Sequence, residues 1–272
     1  MHLLIAHTCI TLSAIKANMN LNKLLSQECS VLHTINDDGI ELIVKETEKY
    51  RWFEYGGSST QSLMNKNEPE KILMPVYQSL LLFLLVKNTP LNILNLGLGG
   101  ASIERTLATI PNLSLTSVDA SQTIIDMAKR YFNLPPKADV VCQQAELFIK
   151  QTKNIYDVLL CDLFIGEKNP KFLFKDAFYQ QLLKISSANA VVMMNLQADT
   201  DAQLLHALLA IKSYFSFVVL IEFDDYSNIV IMASLQEIPS KDILLQRLAK
   251  FSLVEFTCLD NLIEKMRYIT NG

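Results

Sequence analysis

The stretch Ile93-Leu94-Asn95-Leu96-Gly97-Leu98-Gly99-Gly100-Ala101-Ser102 puts three glycines between an apolar run and a helical pattern. A turn of that composition lets backbone approach a ligand closely and aims the following amides at it. Asp119 ends the next apolar run, about twenty residues on, where a carboxylate can accept both hydroxyls of a ribose. Gly97, Gly99, Gly100 and Asp119 therefore have the types and spacing of a nucleoside site. The competing reading is a tight turn followed by an exposed capping Asp. Asp162 closes a further run, Tyr156-Asp157-Val158-Leu159-Leu160-Cys161. Carboxyl ends of central strands in an open α/β sheet line the ligand crevice, which makes Asp162 a candidate for acid–base work. Its alternative is a helix cap or a loop anchor. Asp157, at the other end of the run, is expected to be structural.

Thiol and metal chemistry are not supported. The five cysteines (Cys9, Cys29, Cys142, Cys161, Cys258) are scattered, without a C-x-x-C pair, and the four histidines show no ligand spacing. Cys142 and Cys161 sit in apolar runs and are expected as buried strand residues. His206 interrupts an apolar helical pattern and reads as structural.

The elements that must hold these residues fall into two groups. Val31 to Asn36 and Ile40 to Val44, joined by Asp37-Asp38-Gly39, read as a hairpin, with Tyr50 to Tyr55 as a third strand. Gly56-Gly57-Ser58-Ser59 follows as a flexible stretch. A helix is expected from Pro75 to Val86. From residue 91 strands and helices alternate, with strands at Leu91–Leu96, Leu115–Val118, Asp139–Cys142, Tyr156–Cys161 and Ala190–Asn195. Helices lie between them, at Ala101–Ile110, from the cap Ser121 through Phe132, at Ala145–Lys150, and at Thr200–Tyr214. Phe217–Phe223 and Ile229–Ala233 form a closing hairpin. Such alternation implies an α/β fold, a mostly parallel Rossmann-like sheet with an antiparallel C-terminal hairpin, carrying a small N-terminal β-domain. The expected division is a leader over 1–30, the β-domain over 31–70 and a nucleoside-binding catalytic domain over 71–272.

Composition agrees. The 272 residues are 50% apolar and 19% charged, with a formal charge of −4 from 24 basic and 28 acidic side chains. This excludes a disordered or disulfide-scaffold chain and leaves no footprint for nucleic acid. Residues 3–15 are apolar, but Lys16 follows them, the reverse of a secretory signal. Met19 opens a more ordinary start, so the first 18 residues read as an extension or a floppy leader. No run reaches the roughly 20 apolar residues of a membrane span. A cytoplasmic protein is expected.

These residues resemble the spermidine synthase (polyamine aminopropyltransferase) family. Its members join a small N-terminal β-domain to a class I methyltransferase-type domain with a GGGDGG-like turn, an acid after the second strand, a GDA-like segment, and DSSDP followed by a gate loop ending LF-x-x-x-FY. Here Asp162 is followed at the family spacing by Leu173-Phe174 and Phe178-Tyr179. Gln61-Ser62 and Tyr77-Gln78 resemble its substrate-facing QC and YQ positions. The resemblance spans roughly residues 31–235. It implies attack of an amine nitrogen on the propyl carbon beside the sulfonium of decarboxylated S-adenosylmethionine, with release of methylthioadenosine. The amine must be neutral to attack, so a carboxylate should take or steer its proton. By resemblance Asp162 is catalytic. Gln61, Gly97, Gly99, Gly100, Asp119 and Gln144 hold the donor, and Tyr77, Gln78 and Gln197 the acceptor, in a homodimer without metal.

The sequence also departs from that pattern. Gly100 and Ile165 stand where the family has Asp, Gln197 where it has Glu, and Gln144 where it has the GDA acid, with Glu146 one helical step away. Losing charged partners weakens binding of a dication, which implies an acceptor less cationic than putrescine. Glu167 in the gate loop is the nearby replacement, or else a solvated loop acid. Two alternatives follow from the departures: methyl transfer from intact S-adenosylmethionine, and a non-catalytic nucleoside-binding homologue.

Overall fold

A computed structural model describes residues 28–269 apart from 38, 57, 58, 167, 225 and 226. Most of the expected leader, and Glu167, thus lie outside the described residues.

The N-terminal sheet is an antiparallel meander of β1 (Ser30–Asp37), β2 (Ile40–Glu46), β3 (Tyr50–Tyr55) and β4 (Ser59–Asn65). Gly39 turns the first hairpin at φ +85°, and its amide donates to Asn36 Oδ1. β4 begins at the last residue of the stretch expected to be flexible, and the sequence suggested no strand over 60–65. Its polar pattern hides it, because Ser62 and Asn65 are buried.

Pro75 to Val86 is two short helices, α1 (Pro75–Leu80) and α2 (Phe83–Val86), rather than the single one expected. Every residue from Leu80 to Leu85 is buried. One helix against one surface buries a stripe, so the chain turns at Leu81 to bury them all.

The remaining chain winds the main sheet: β5 (Leu91–Leu96), α3 (Ser102–Leu107), β6 (Leu113–Asp119), α4 (Gln122–Tyr131), β7 (Asp139–Cys142), α5 (Ala145–Gln151) and β8 (Tyr156–Cys161). After a 3₁₀ turn at Lys171–Phe174 come α6 (Asp176–Lys184), β9 (Ser186–Leu196), α7 (Asp201–Lys212), β10 (Phe217–Glu222), β11 (Ile229–Ser234), α8 (Lys241–Leu248), α9 (Leu259–Glu264) and β12 (Arg267–Ile269). Strand order is β12-β10-β11-β9-β8-β5-β6-β7. Strands β9 to β7 are parallel, whereas β11, β10 and β12 each run antiparallel to the preceding neighbour. The closing hairpin is therefore not the edge; β12 covers it. The Rossmann-like sheet with antiparallel strands and a separate small sheet is the expected fold class.

Alternating side chains send Ile93, Val158, Leu160 and Met193 to one face, against α1, α2, α8 and α9. Leu94, Leu96, Leu159 and Met194 go to the other, with α6 and α7. Cys161 is buried there as expected, but Cys142, ending the edge strand β7, is exposed. His206 is also exposed, on the outer side of α7. The N-terminal sheet packs Leu42, Val44, Phe53 and Met64 onto Ile124 and Met127 of α4. Among the described residues no helix is long and apolar enough to cross a membrane.

Candidate active site

The parallel strands β5, β6 and β8 end together, and the loops leaving them open into a cavity of about 970 Å³. Gln61, Tyr77, Gly97, Gly99, Asp119, Gln144 and Asp162 line it. The structure thus brings most of the residues named from sequence to one place, where the N-terminal sheet meets the main sheet.

The turn after β5 is built for close approach. Gly97 adopts φ +98°, and a Cβ there would lie 2.1 Å from the Asp162 carbonyl oxygen. Only glycine fits. The backbones of the turn and of Asp162 therefore touch, continuing the ladder in which Asp162 N donates to Leu96 O (2.8 Å).

Asp119 closes the turn from the β6 side. Its Oδ2 accepts from Leu98 N and its Oδ1 from Ser121 N, both at 2.9 Å. Burial raises its pKa above the usual carboxylate value against these backbone bonds. The Gly99 amide also reaches this carboxylate, and with about four acceptor positions in all it can still take a ligand hydroxyl. Ser121 caps α4 as expected, accepting from Ile124 N, and donates its hydroxyl to Asp37 Oδ1 (2.9 Å). Asp37 also accepts from Tyr55 Oη (3.0 Å) and lines the cavity. Sequence reasoning missed it, reading Asp37 only as a turn former. The available signal was that a hairpin tip beside a ligand sheet can deliver a side chain.

Asp162 stands at the carboxyl end of β8. Its Oδ1 accepts from Asn195 Nδ2 (2.7 Å), and Asn195 Oδ1 accepts in turn from Asn228 Nδ2 (2.9 Å). Burial lifts the Asp162 pKa to about 6, opposed by the bonds from Asn195 and Tyr77. The Tyr77 hydroxyl lies 2.7 Å from the Gln61 carbonyl and beside the Asp162 carboxyl, its single proton serving one acceptor at a time, and burial beside the Asp162 charge holds its phenol well above its ordinary pKa. Tyr77 thus stays neutral while Asp162 is poised near neutrality. Asn195 and Asn228 were not singled out from sequence as Asp162's partners, since neither carries a charge.

The loop leaving Asp162 is pinned by Asn169. Its Nδ2 donates to Leu163 O (2.8 Å), and its Oδ1 accepts from Gln197 N (2.5 Å). Leu173, Phe178 and Tyr179, which helped carry the resemblance, are buried core residues. Asp157 is structural as expected, accepting from Asn92 N and Ser187 Oγ.

Three of the named residues are not on the cavity wall. Gln78 is 0% exposed and points the other way. Its Nε2 donates to Ile72 O and Thr257 Oγ1, and its Oε1 accepts from Thr257 N and Cys258 N. It ties the C-terminal segment to α1. Gln197 lies past the end of β9, held by its backbone to Asn169. Gly100 is buried behind the turn, where a Cβ would meet Ser62 Oγ at 2.3 Å. Ser62 thus fills the space that a side chain at 100 would need. Gln144 and Glu146 both line the cavity, so either can meet a nucleobase edge. Among the described residues no group of three His, Cys, Asp or Glu could hold a metal.

No family model matches the chain. Over 199 residues it is 26% identical to the polyamine aminopropyltransferase of Neisseria meningitidis, covering 71% of this chain and 75% of that one. A probable spermidine synthase from Corynebacterium glutamicum superimposes with a TM-score of 0.72 at 15% identity, covering 88% and 90% of the two chains. Human methyltransferase-like protein 13, solved with SAH, gives a TM-score of 0.57 at 19% identity over 70% of this chain. In sequence the chain is similar to the polyamine aminopropyltransferases, and its fold is that of the spermidine synthases.

Proposed function

We propose that the protein transfers an aminopropyl group from decarboxylated S-adenosylmethionine to a small amine. The observation that carries this reading is Asp162, poised near pH 6 on the wall of one cavity with the glycine-rich turn and Asp119. Gly97 and Gly99 offer close backbone approach, Asp119 accepts the ribose hydroxyls, and Gln144 with Glu146 faces the base. Tyr77 and Gln61 flank the path to Asp162. The amine lone pair attacks the propyl carbon, the carbon–sulfur bond breaks, and methylthioadenosine leaves as a neutral thioether. Asp162 takes the proton that the new secondary ammonium releases. Holding donor and amine in line supplies much of the rate.

The acceptor is less cationic than a free diamine. Lys171 and Lys175 line the same cavity, and their positive charge opposes a second ammonium group near Asp162. The reading includes a metal-free site, a cytoplasmic setting without nucleic acid or membrane, and the division at 31–70 and 71–272. It also includes a homodimer paired through the N-terminal hairpins, where Val31, Leu32 and Ile35 are exposed.

Calorimetric titration with decarboxylated and intact S-adenosylmethionine, followed by product analysis across an amine panel, tests the reading. Preference for the decarboxylated donor and Asp162-dependent release of methylthioadenosine are expected. S-adenosylhomocysteine as product would replace the reading with methyl transfer, and binding of neither donor would end it.

A further inference from the structure

Behind the glycine-rich turn, Glu104 of α3 is 1% exposed and faces β5 and β6. Its two oxygens are treated unequally. Oε1 accepts from both Asn95 Nδ2 (2.7 Å) and Ser117 Oγ (2.6 Å), while Oε2 is buried without a partner. Asn95, also 1% exposed, shows the complementary defect. Its Nδ2 lies between two acceptors, Glu104 Oε1 and the Gly97 carbonyl (2.9 Å), so the amide cannot be turned over. Its Oδ1 is then a buried acceptor with no donor. Two side chains already joined by one hydrogen bond thus carry one orphaned acceptor each.

An ionised carboxylate has only lone pairs and leaves both orphans unsatisfied. A proton on Oε2 satisfies both at once. The acid donates to Asn95 Oδ1 while the amide donates to Oε1, closing a reciprocal acid–amide ring. The double acceptance at Oε1 is then that of an ordinary carbonyl oxygen. Neighbouring charge does not supply another solution. Arg105, next on the helix, spends its donors on Pro69 O, Gly100 O, Phe132 O and Ser102 Oγ. Tyr77, the ionisable group that senses Glu104 from α1, is itself neutral. Burial raises the Glu104 pKa in the same direction, against the bonds from Ser117, Asn95 and its own backbone amide and the charge of Arg105.

We propose that Glu104 is a neutral carboxylic acid and a positioning residue: it clasps Asn95, which holds the Gly97 carbonyl and with it the turn packed on Asp162. The consequence for catalysis rests on the reading of Asp162 given above; the protonation state does not. Neutrality also keeps a second negative charge from the region of Asp162 and Tyr77.

The test needs no substrate. Infrared difference spectra between wild type and Glu104→Gln, with glutamate carboxyls carrying ¹³C, are taken at pH 7. The expected difference is one protonated-carboxyl C=O band, present in wild type and missing in the variant. Loss of an ionised-carboxylate band instead overturns the proposal. Hydrogen exchange then reads the positioning role at the amides of Gly97, Leu98 and Asp162. An amide side chain at 104 can make the same ring, so Glu104→Gln should exchange within about twofold of wild type, whereas Glu104→Ala, which strands Asn95, should exchange about tenfold faster or more. Equal acceleration in both variants sinks the clasp. Failure of aminopropyl transfer, with the band and exchange pattern intact, bears on Asp162 alone.

Discussion

Asp162 must be ionised to take a proton from an attacking amine, and burial holds its pKa at about 6. Turnover limited by this step should therefore rise with pH through about 6, with any further rise set by deprotonation of the amine itself, as a pH–rate profile with donor and amine both saturating would show. Asp162→Asn should lose roughly 10²–10⁴-fold in kcat while donor affinity changes little. The same carboxyl has an opposite effect on stability. Its folded pKa is raised, so its stabilising contribution is full below the unfolded value and is lost as pH rises through about 6. Above that, the ionised form is a buried charge that Asn195 and Tyr77 only partly offset. Asp162→Asn should then melt roughly 2–5 °C higher than wild type at pH 7. The gap should close toward pH 4, and a variant that melts lower at pH 7 would contradict this account.

Between elements, the contact of β4 with the glycine-rich turn decides what position 100 can carry. Gly100→Asp alone would drive its Cβ into Ser62, destabilising by roughly 1–3 kcal/mol. Ser62→Gly opens that space, so the double variant should recover most of the loss, a coupling that a double-mutant cycle in urea would measure. The same contact explains an error of reading. β4 was illegible because the pressure to bury Ser62 comes from a glycine distant in sequence, not from its own hydropathy. By contrast Leu91–Leu96, Asp139–Cys142 and Tyr156–Cys161 were legible to the residue. For the two central strands, apolar runs in a parallel sheet covered on both sides carry their boundaries in their own composition. The helix from Pro75 was legible at its start, where Pro fixes the first turn, but not at its break, which answers to a core that no local pattern reveals.

On the scale of the whole molecule, the site is a seam. Asp37 to Ser121, Arg51 Nη1 to the Tyr131 carbonyl (2.7 Å) and Arg105 Nε to the Pro69 carbonyl (2.5 Å) join the N-terminal sheet and its exit to the main sheet. Sequence reading located Gly97, Gly99, Asp119 and Asp162, because strand ends and the glycine turn mark them, though Gly100 and Gln197 of the same sheet lie off the cavity wall. It could not place Asp37, whose role depends on how two sheets meet, and it misplaced Gln78. A buried amide and a ligand-facing amide look the same in a sequence. Gln78→Met should cost roughly 2–4 kcal/mol in chemical denaturation, since it strands Thr257 N and Cys258 N, yet leave the KM for the amine acceptor unchanged. A raised acceptor KM at intact stability would return Gln78 to the cavity. The three-residue strand β12 bears on the opposite rim. Paired to Val218–Leu220, it occupies the outer hydrogen-bonding edge of β10. A chain shortened before Arg267 would leave Phe217-Val218-Val219-Leu220-Ile221 as an open, charge-free template for other chains. Such a shortened protein should be lost to fibrillar self-association, seen as dye-binding aggregates, while its ligand cavity is still formed.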